Sequence, residues 1–87
     1  MEDAKKIQQK IFTYVKDNTF KDTTNLTSDT LLFVEGIFDS MGFVLFLDFL
    51  EEKFNIIPTD SDLVEETFES IDSITDYVLK MKVSAAQ

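Results

Sequence analysis

Residues 36–54 read Gly-Ile-Phe-Asp-Ser-Met-Gly-Phe-Val-Leu-Phe-Leu-Asp-Phe-Leu-Glu-Glu-Lys-Phe. Two signals meet in this stretch. Asp39 and Ser40 carry side-chain oxygens that accept the orphan N–H groups of a first helical turn, so either one can cap a helix that starts near Ser40. Beyond them the chain is apolar from Met41 to Leu50 apart from Gly42 and Asp48. Val44, Leu47, Leu50 or Glu51, and Phe54 recur at helical spacing, which predicts a helix over about 40–54 with Val44, Leu47 and Phe54 in its core face. Phe43, Phe46 and Phe49 widen the apolar surface beyond one stripe. Asn55 to Pro58 ends the element.

Upstream, residues 17–39 are rich in Asp, Asn, Thr and Ser, which favour turns over regular structure and predict a long loop. Leu26, Leu31, Leu32, Phe33, Ile37 and Phe38 are its means of attachment to a core, and Gly36 eases the turn into the next helix. A loop of this length in a small domain is usually functional. Further back, Ile7, Ile11 and Val15 fall at i, i+4, i+8 with lysines on other faces, predicting an amphipathic helix over 4–16. Downstream, a helical turn is expected near Asp62–Glu66, capped by Asp60 or Ser61. A last helix is expected over 71–81, from Ile71, Ile74, Val78 and Met81. The expected fold class is therefore all-α: a three-to-four-helix bundle with a long loop between the first two helices. Residues 1–82 form one domain and 83–87 a flexible tail.

Composition narrows the chemistry. Eighty-seven residues are one domain's worth, and a chain of this size buries only roughly 60–65% of the surface it exposes when unfolded. There is no Cys and no His. That removes disulfides, a thiolate nucleophile, the commonest metal ligand and the commonest general base near neutral pH. No Ser–His–Asp or Cys–His arrangement can be assembled, so if this protein takes part in thiol or acyl chemistry the reactive group must come from elsewhere. The net charge is −9, and from Asp39 onward eleven acids face three lysines. Such a surface repels nucleic acid and anionic membranes and either steers towards basic protein patches or serves solubility alone; charge does not choose between the two. Met1 to Lys16 lacks the apolar core of a signal peptide, and Met41 to Leu50 is too short to span a bilayer. The expectation is a cytoplasmic protein without membrane insertion.

The segment with the most chemistry is Gly36-Ile37-Phe38-Asp39-Ser40-Met41-Gly42. It sets a hydroxyl at the junction of loop and helix, where a phosphate ester would lie near backbone N–H groups and the positive end of the helix dipole. An Asp-Ser pair alone is an ordinary cap. The whole arrangement is more specific. A helix, a long loop, G-x-x-D-S-M, an amphipathic helix ending in E-E-K-F, a short helix after it and a final helix together resemble the acyl carrier protein family, from about Lys6 to Lys82. Glu66-Thr67-Phe68-Glu69-Ser70-Ile71 is similar to the phenylalanine-containing stretch before that family's last helix.

The resemblance implies that Ser40 carries covalent 4′-phosphopantetheine donated by coenzyme A, with Asp39 and Met41 read by the phosphopantetheinyl transferase. It implies a non-catalytic module, expected as a monomer, that holds acyl or aminoacyl cargo as a thioester. Its loading and processing enzymes would present basic patches to a face made of Met41, Leu45, Asp48, Glu51 and Glu52. Leu45 and Gly42 stand where many members have an acid. That departure argues against a housekeeping fatty-acid role, and D-S-M-G is also similar to stand-alone D-alanyl and other aminoacyl carriers; the expected pathway is fatty-acid-like or specialised biosynthesis. The alternative is an acidic helical interaction domain that carries no cargo. Asp60-Ser61-Asp62 starts like a calcium loop, but Glu65 and Ile71 occupy the positions that need Gly and Glu, which excludes an EF-hand.

Overall fold

The computed structural model describes residues 4–19 and 22–85. Those residues form α1 (Ala4–Asn18), α2 (Ser40–Phe54), α3 (Glu65–Phe68) and α4 (Ile71–Ala85), with no strand among them. The all-α bundle with its long first loop is the expected architecture. Helix α1 runs two residues past the predicted end at 16, and α4 runs to Ala85 rather than 81. Of the expected tail, Val83–Ala85 thus continue the helix, and residues 86 and 87 lie outside the described residues.

Each helix has a local reason for its ends. Asp39 caps α2 in an extended conformation. At the other end Asn55 takes the left-handed conformation (φ 57°) and returns its N–H to the Glu51 carbonyl, with Ile56 bonding Leu50. Asn is one of the few residues that adopts this geometry cheaply. Helix α4 opens on a reciprocal pair, with the Ser70 N–H donating to Ser73 Oγ at 3.0 Å and the Ser73 N–H donating to Ser70 Oγ at 3.2 Å.

The core forms where α4 packs on α1 and α3. Ile7, Ile11 and Val15 of α1 and Ile71, Ile74 and Val78 of α4 are buried, as their periodicity predicts, and Met81 is partly buried against them. Helix α2 joins through large rings. Tyr14 of α1 stacks on Phe49 at 4.2 Å and meets Phe46 at 5.7 Å, while Phe43 meets Phe68 of α3 at 5.2 Å. At the far end Lys82 Nζ sits 5.6 Å from the centre of the Phe54 ring.

Two expectations need correction. The core face of α2 is made by Phe46, Phe49, Leu50 and Phe54, while Val44 is 55% exposed and Leu47 only partly buried. On a helical wheel at 100° per residue the buried stripe is turned by about 95° from the predicted one, because the rings of α2 reach Tyr14 and Phe68. The short helix is also displaced. Asp60–Asp62 forms a turn in which the Thr59 N–H donates to Asp62 Oδ2 (3.3 Å) and the Leu63 N–H to the Thr59 carbonyl (3.2 Å). The helix starts only at Glu65, with Val64 at its cap position and no side-chain cap bond. Burial of Phe68 sets its position.

Candidate functional site

Ser40 is the first residue of α2 and is exposed. The chain reaches it along a loop held at several points. The Leu32 N–H donates to the Glu69 carbonyl at 2.8 Å, and the Phe38 N–H returns to the Leu32 carbonyl at 3.0 Å. Between them Gly36 adopts φ 76°, a left-handed turn that a residue with a Cβ rarely takes. Thr19 Oγ1 donates to the Ile37 carbonyl at 3.2 Å, tying the approach to the end of α1. Leu26, Leu32 and Phe38 are the buried pins of the loop, whereas Leu31 and Phe33, expected as pins, are exposed.

A second clasp holds the loop at its other end. Asp72, in the first turn of α4, accepts Gln8 Nε2 at 2.6 Å on one oxygen and Ser28 Oγ at 3.2 Å on the other, while its N–H donates to the Ser28 carbonyl at 2.8 Å. One carboxylate thus joins α1, the loop and α4. In the sequence it reads as one more surface acid. Its place in a helix's first turn, where acids are favoured, was the only signal.

Asp39 turns its carboxylate inward, and Oδ1 accepts the Gly42 N–H at 2.7 Å. One donor of the helix start is therefore already bonded to a carboxylate. Asp39, Ser40 and Met41 are all exposed and contiguous.

The other expected site residues, Leu45, Asp48, Glu51 and Glu52, are likewise exposed. They do not form a free-standing acidic face. All four line a groove between α2 and α1, whose far wall includes Lys6, Lys10 and Tyr14. Burial, then the negative charges of Asp48 and Glu52, push the Tyr14 hydroxyl above its ordinary pKa. Met41 (69% exposed) and Leu45 (50%) lie one turn apart. Val44, placed in the core by sequence reasoning, instead stands one turn from Ser40 and extends this apolar surface. Its i+4 spacing from Ser40 was the available signal. Across the start of α2, Phe33, Phe43, Leu63, Val64, Glu65 and Phe68 line a second, apolar groove of about 350 Å³.

Among the described residues no group of three or more acids could hold a metal ion, and no helix is long and apolar enough to cross a membrane. No family model matches the chain, and no curated protein matches it significantly.

Proposed function

We propose that the protein is a carrier module that holds acyl or aminoacyl cargo as a thioester on 4′-phosphopantetheine attached to Ser40. The observation that supports this most is the position of Ser40 itself. It is an exposed hydroxyl at the first residue of a well-capped helix, at the end of a firmly held loop, within the motif Gly36-x-x-Asp39-Ser40-Met41. Pinning the loop through Leu32 and Asp72 gives a modifying enzyme one fixed surface to read. The exposure of Ser40 would leave a long flexible arm free to swing.

Attachment requires the Ser40 oxygen to attack the phosphoanhydride of coenzyme A. The new O–P bond forms as the old one breaks, adenosine 3′,5′-bisphosphate leaves with the bonding pair, and the serine proton passes to a base of the transferase. When bound, the group supplies the thiol that this chain lacks. The chain's own residues would supply position and recognition: Asp39 and Met41 for the transferase, and Met41, Leu45, Asp48, Glu51 and Glu52 for loading and processing enzymes. The module would work in the cytoplasm and perform no catalysis itself.

The test is intact-mass analysis after incubation with coenzyme A and a broad-specificity phosphopantetheinyl transferase. One added phosphopantetheine is expected, lost in Ser40→Ala while the helical circular-dichroism signal is kept. Absence of the adduct with several competent transferases, or its attachment to another serine, rejects the reading. An acidic interaction domain that carries no cargo would use the same face of α2 and would pass through this assay unmodified.

A further inference from the structure

We propose that this protein keeps its cargo outside the bundle and serves small or polar acyl groups rather than long alkyl chains. The inference rests on the carrier reading above and names its substrate class. It is carried by the aromatic packing behind Ser40. Nine rings form one continuous network: Tyr77 touches Phe68, Phe68 touches Phe43, Phe43 touches Phe33 and Phe38, Phe38 touches Phe46, and Phe46 leads on to Tyr14, Phe49 and Phe54.

A chain entering the bundle from Ser40 meets Phe38, Phe43 and Phe46, whose centroids are 6.1 Å (Phe38–Phe43) and 5.2 Å (Phe38–Phe46) apart. Phe33 closes the outside of this wall at 5.4 Å from Phe38 and 5.3 Å from Phe43. Phe46 in the wall and Phe68, which packs on Phe43, are fully buried. The void beside Ser40, between the end of α1 (Tyr14, Val15), Ile37 and Phe38, and Gly42 and Leu45 of α2, holds about 20 Å³, room for about one water molecule. Admitting an alkyl chain means parting rings that already pack against one another at tilted and edge-to-face angles, which loses their contacts and overfills the core.

Outside the wall, the apolar groove beside Phe43 begins one helical turn from Ser40, but Phe33, Leu63 and Val64 on its rim are exposed. A chain lying there remains wetted and open to a docking enzyme. Cargo that needs no shelter fits this arrangement. A long alkyl chain, whose carriage in water is improved by burial, does not.

The experiment loads the full chain with acetyl-, butyryl- and octanoyl-phosphopantetheine from the matching coenzyme A thioesters. Intact mass confirms each product; failure to form any adduct would count against the carrier reading and not against this one. Thermal midpoint and the rate of thioester cleavage by hydroxylamine are then measured for each species. The expected result is one midpoint for all three and cleavage rates within about twofold, because a ligand that gains no buried contacts adds no stability to the native state. NMR shifts confined to the Leu63 and Val64 methyls support the same conclusion, since the core then stays closed. A midpoint that climbs with chain length, shifted Phe46 and Phe68 ring signals, and octanoyl cleavage slowed roughly tenfold would overturn it, because they report a chain protected inside a folded core. Phe43→Leu removes one ring of the wall at modest change in volume and is expected to introduce the length dependence that the natural chain lacks. If that variant folds and still ignores chain length, the ring wall is not what excludes the chain and the proposal fails.

Discussion

Asp39 Oδ1 accepts the Gly42 N–H at 2.7 Å, and a methyl group on Gly42 would stand only 3.1 Å from that same oxygen. The missing Cβ is therefore part of the cap. It lets the carboxylate close on the N–H at the start of α2, next to Ser40. Gly inside a helix costs up to about 1 kcal/mol relative to Ala, and here the cost is set against a short, charge-assisted cap bond.

This coupling predicts non-additive stabilities. Asp39→Ala should cost about 1 kcal/mol, the usual worth of a lost cap. Gly42→Ala alone should be close to neutral, since its gain in helix propensity is offset by pushing the carboxylate away. In the Asp39→Ala background the same substitution should stabilise by up to about 1 kcal/mol. Urea denaturation of the four proteins measures the cycle, and strictly additive values would mean that the carboxylate moves aside without loss. Asp39→Ser keeps a capping oxygen, so it separates stability from recognition. It should remain folded while its modification at Ser40 slows.

The second prediction concerns alkaline pH. Tyr77 Oη donates to Asp62 Oδ2 at 3.0 Å. Burial, then the hydrogen bond to Asp62 and its charge, push the Tyr77 hydroxyl up from 10.0 to about 12, while the same bond holds Asp62 below the usual carboxylate range. The folded state binds the tyrosine proton more tightly than the unfolded state does. Its contribution is complete below pH 10 and is lost as pH rises towards about 12. The Asp62 contribution has the opposite sense and is lost only as pH falls below the ordinary carboxylate pKa. Lysines also titrate in the alkaline window, so the measurement is the difference between natural protein and Tyr77→Phe. The thermal midpoint of the natural protein should fall more steeply between pH 10 and 12. Parallel curves would show that the bond does not persist in solution.

The ends of α2 were legible because caps are local: Asp39 and Asn55 bracket it in both sequence and structure. The face it buries was not. Nine of its fifteen residues are apolar, so periodicity hardly distinguishes one direction from another, and the choice falls to rings supplied by α1, α3 and the loop. The position of α3 was hidden for the same reason. Acidic residues at Asp60–Asp62 look like a helix cap, but the burial of Phe68 draws the helix downstream. The exposed position of Ser40 could be inferred, since a helix's first residue follows from its cap. The Asp72 clasp depends on a contact across 44 residues to Ser28, which no local pattern encodes.

That rotated core gives a third prediction. Val44→Ala should change stability by less than about 0.5 kcal/mol, as for an exposed substitution. Phe46→Ala should cost about 3–5 kcal/mol, as for a ring removed from a close-packed core. Chemical denaturation checks both. Equal costs would restore Val44 to the core face.

The fourth prediction concerns ionic strength. Eleven acids stand against three lysines from Asp39 onward. Lys6 and Lys10 of α1 share the groove with Asp48, Glu51 and Glu52, but Glu65, Glu66, Glu69 and Asp76 stand outside it. Repulsion among like charges therefore opposes folding overall, and salt screens it over about 10 Å at 0.1 M. The thermal midpoint at neutral pH should rise between low and moderate salt. A flat response would mean that screening costs the α1–α2 groove as much as it relieves elsewhere.

The last prediction concerns partner choice at Leu45. Its side chain is half exposed at the groove between α2 and α1, one turn from Met41. Docking of a loading enzyme would bury the remaining half, worth roughly half of the 1.5–3 kcal/mol of a fully buried leucine. On the carrier reading Asp48, Glu51 and Glu52 would act differently. Exposed ion pairs contribute about 0–1 kcal/mol each, so their effect lies mainly in the rate of encounter. Leu45→Glu should stay folded, because the position faces solvent, although a new acid one turn from Asp48 adds repulsion of about 0.2–0.5 kcal/mol. On the carrier reading, this variant loads more slowly with its own enzyme and is better recognised by enzymes of fatty-acid synthesis. Reversing charge at Glu51 and Glu52 should slow both, most visibly at low salt, where steering is strongest. The assay is the rate of cargo loading on phosphopantetheinylated protein at two salt concentrations for each variant. If Leu45→Glu folds and loads at the natural rate, the apolar patch beside Ser40 plays no part in choosing the enzyme. If it unfolds, Leu45 supports Tyr14 and Phe49 more than its exposure implies, and specificity must be sought at Met41 and Val44 instead.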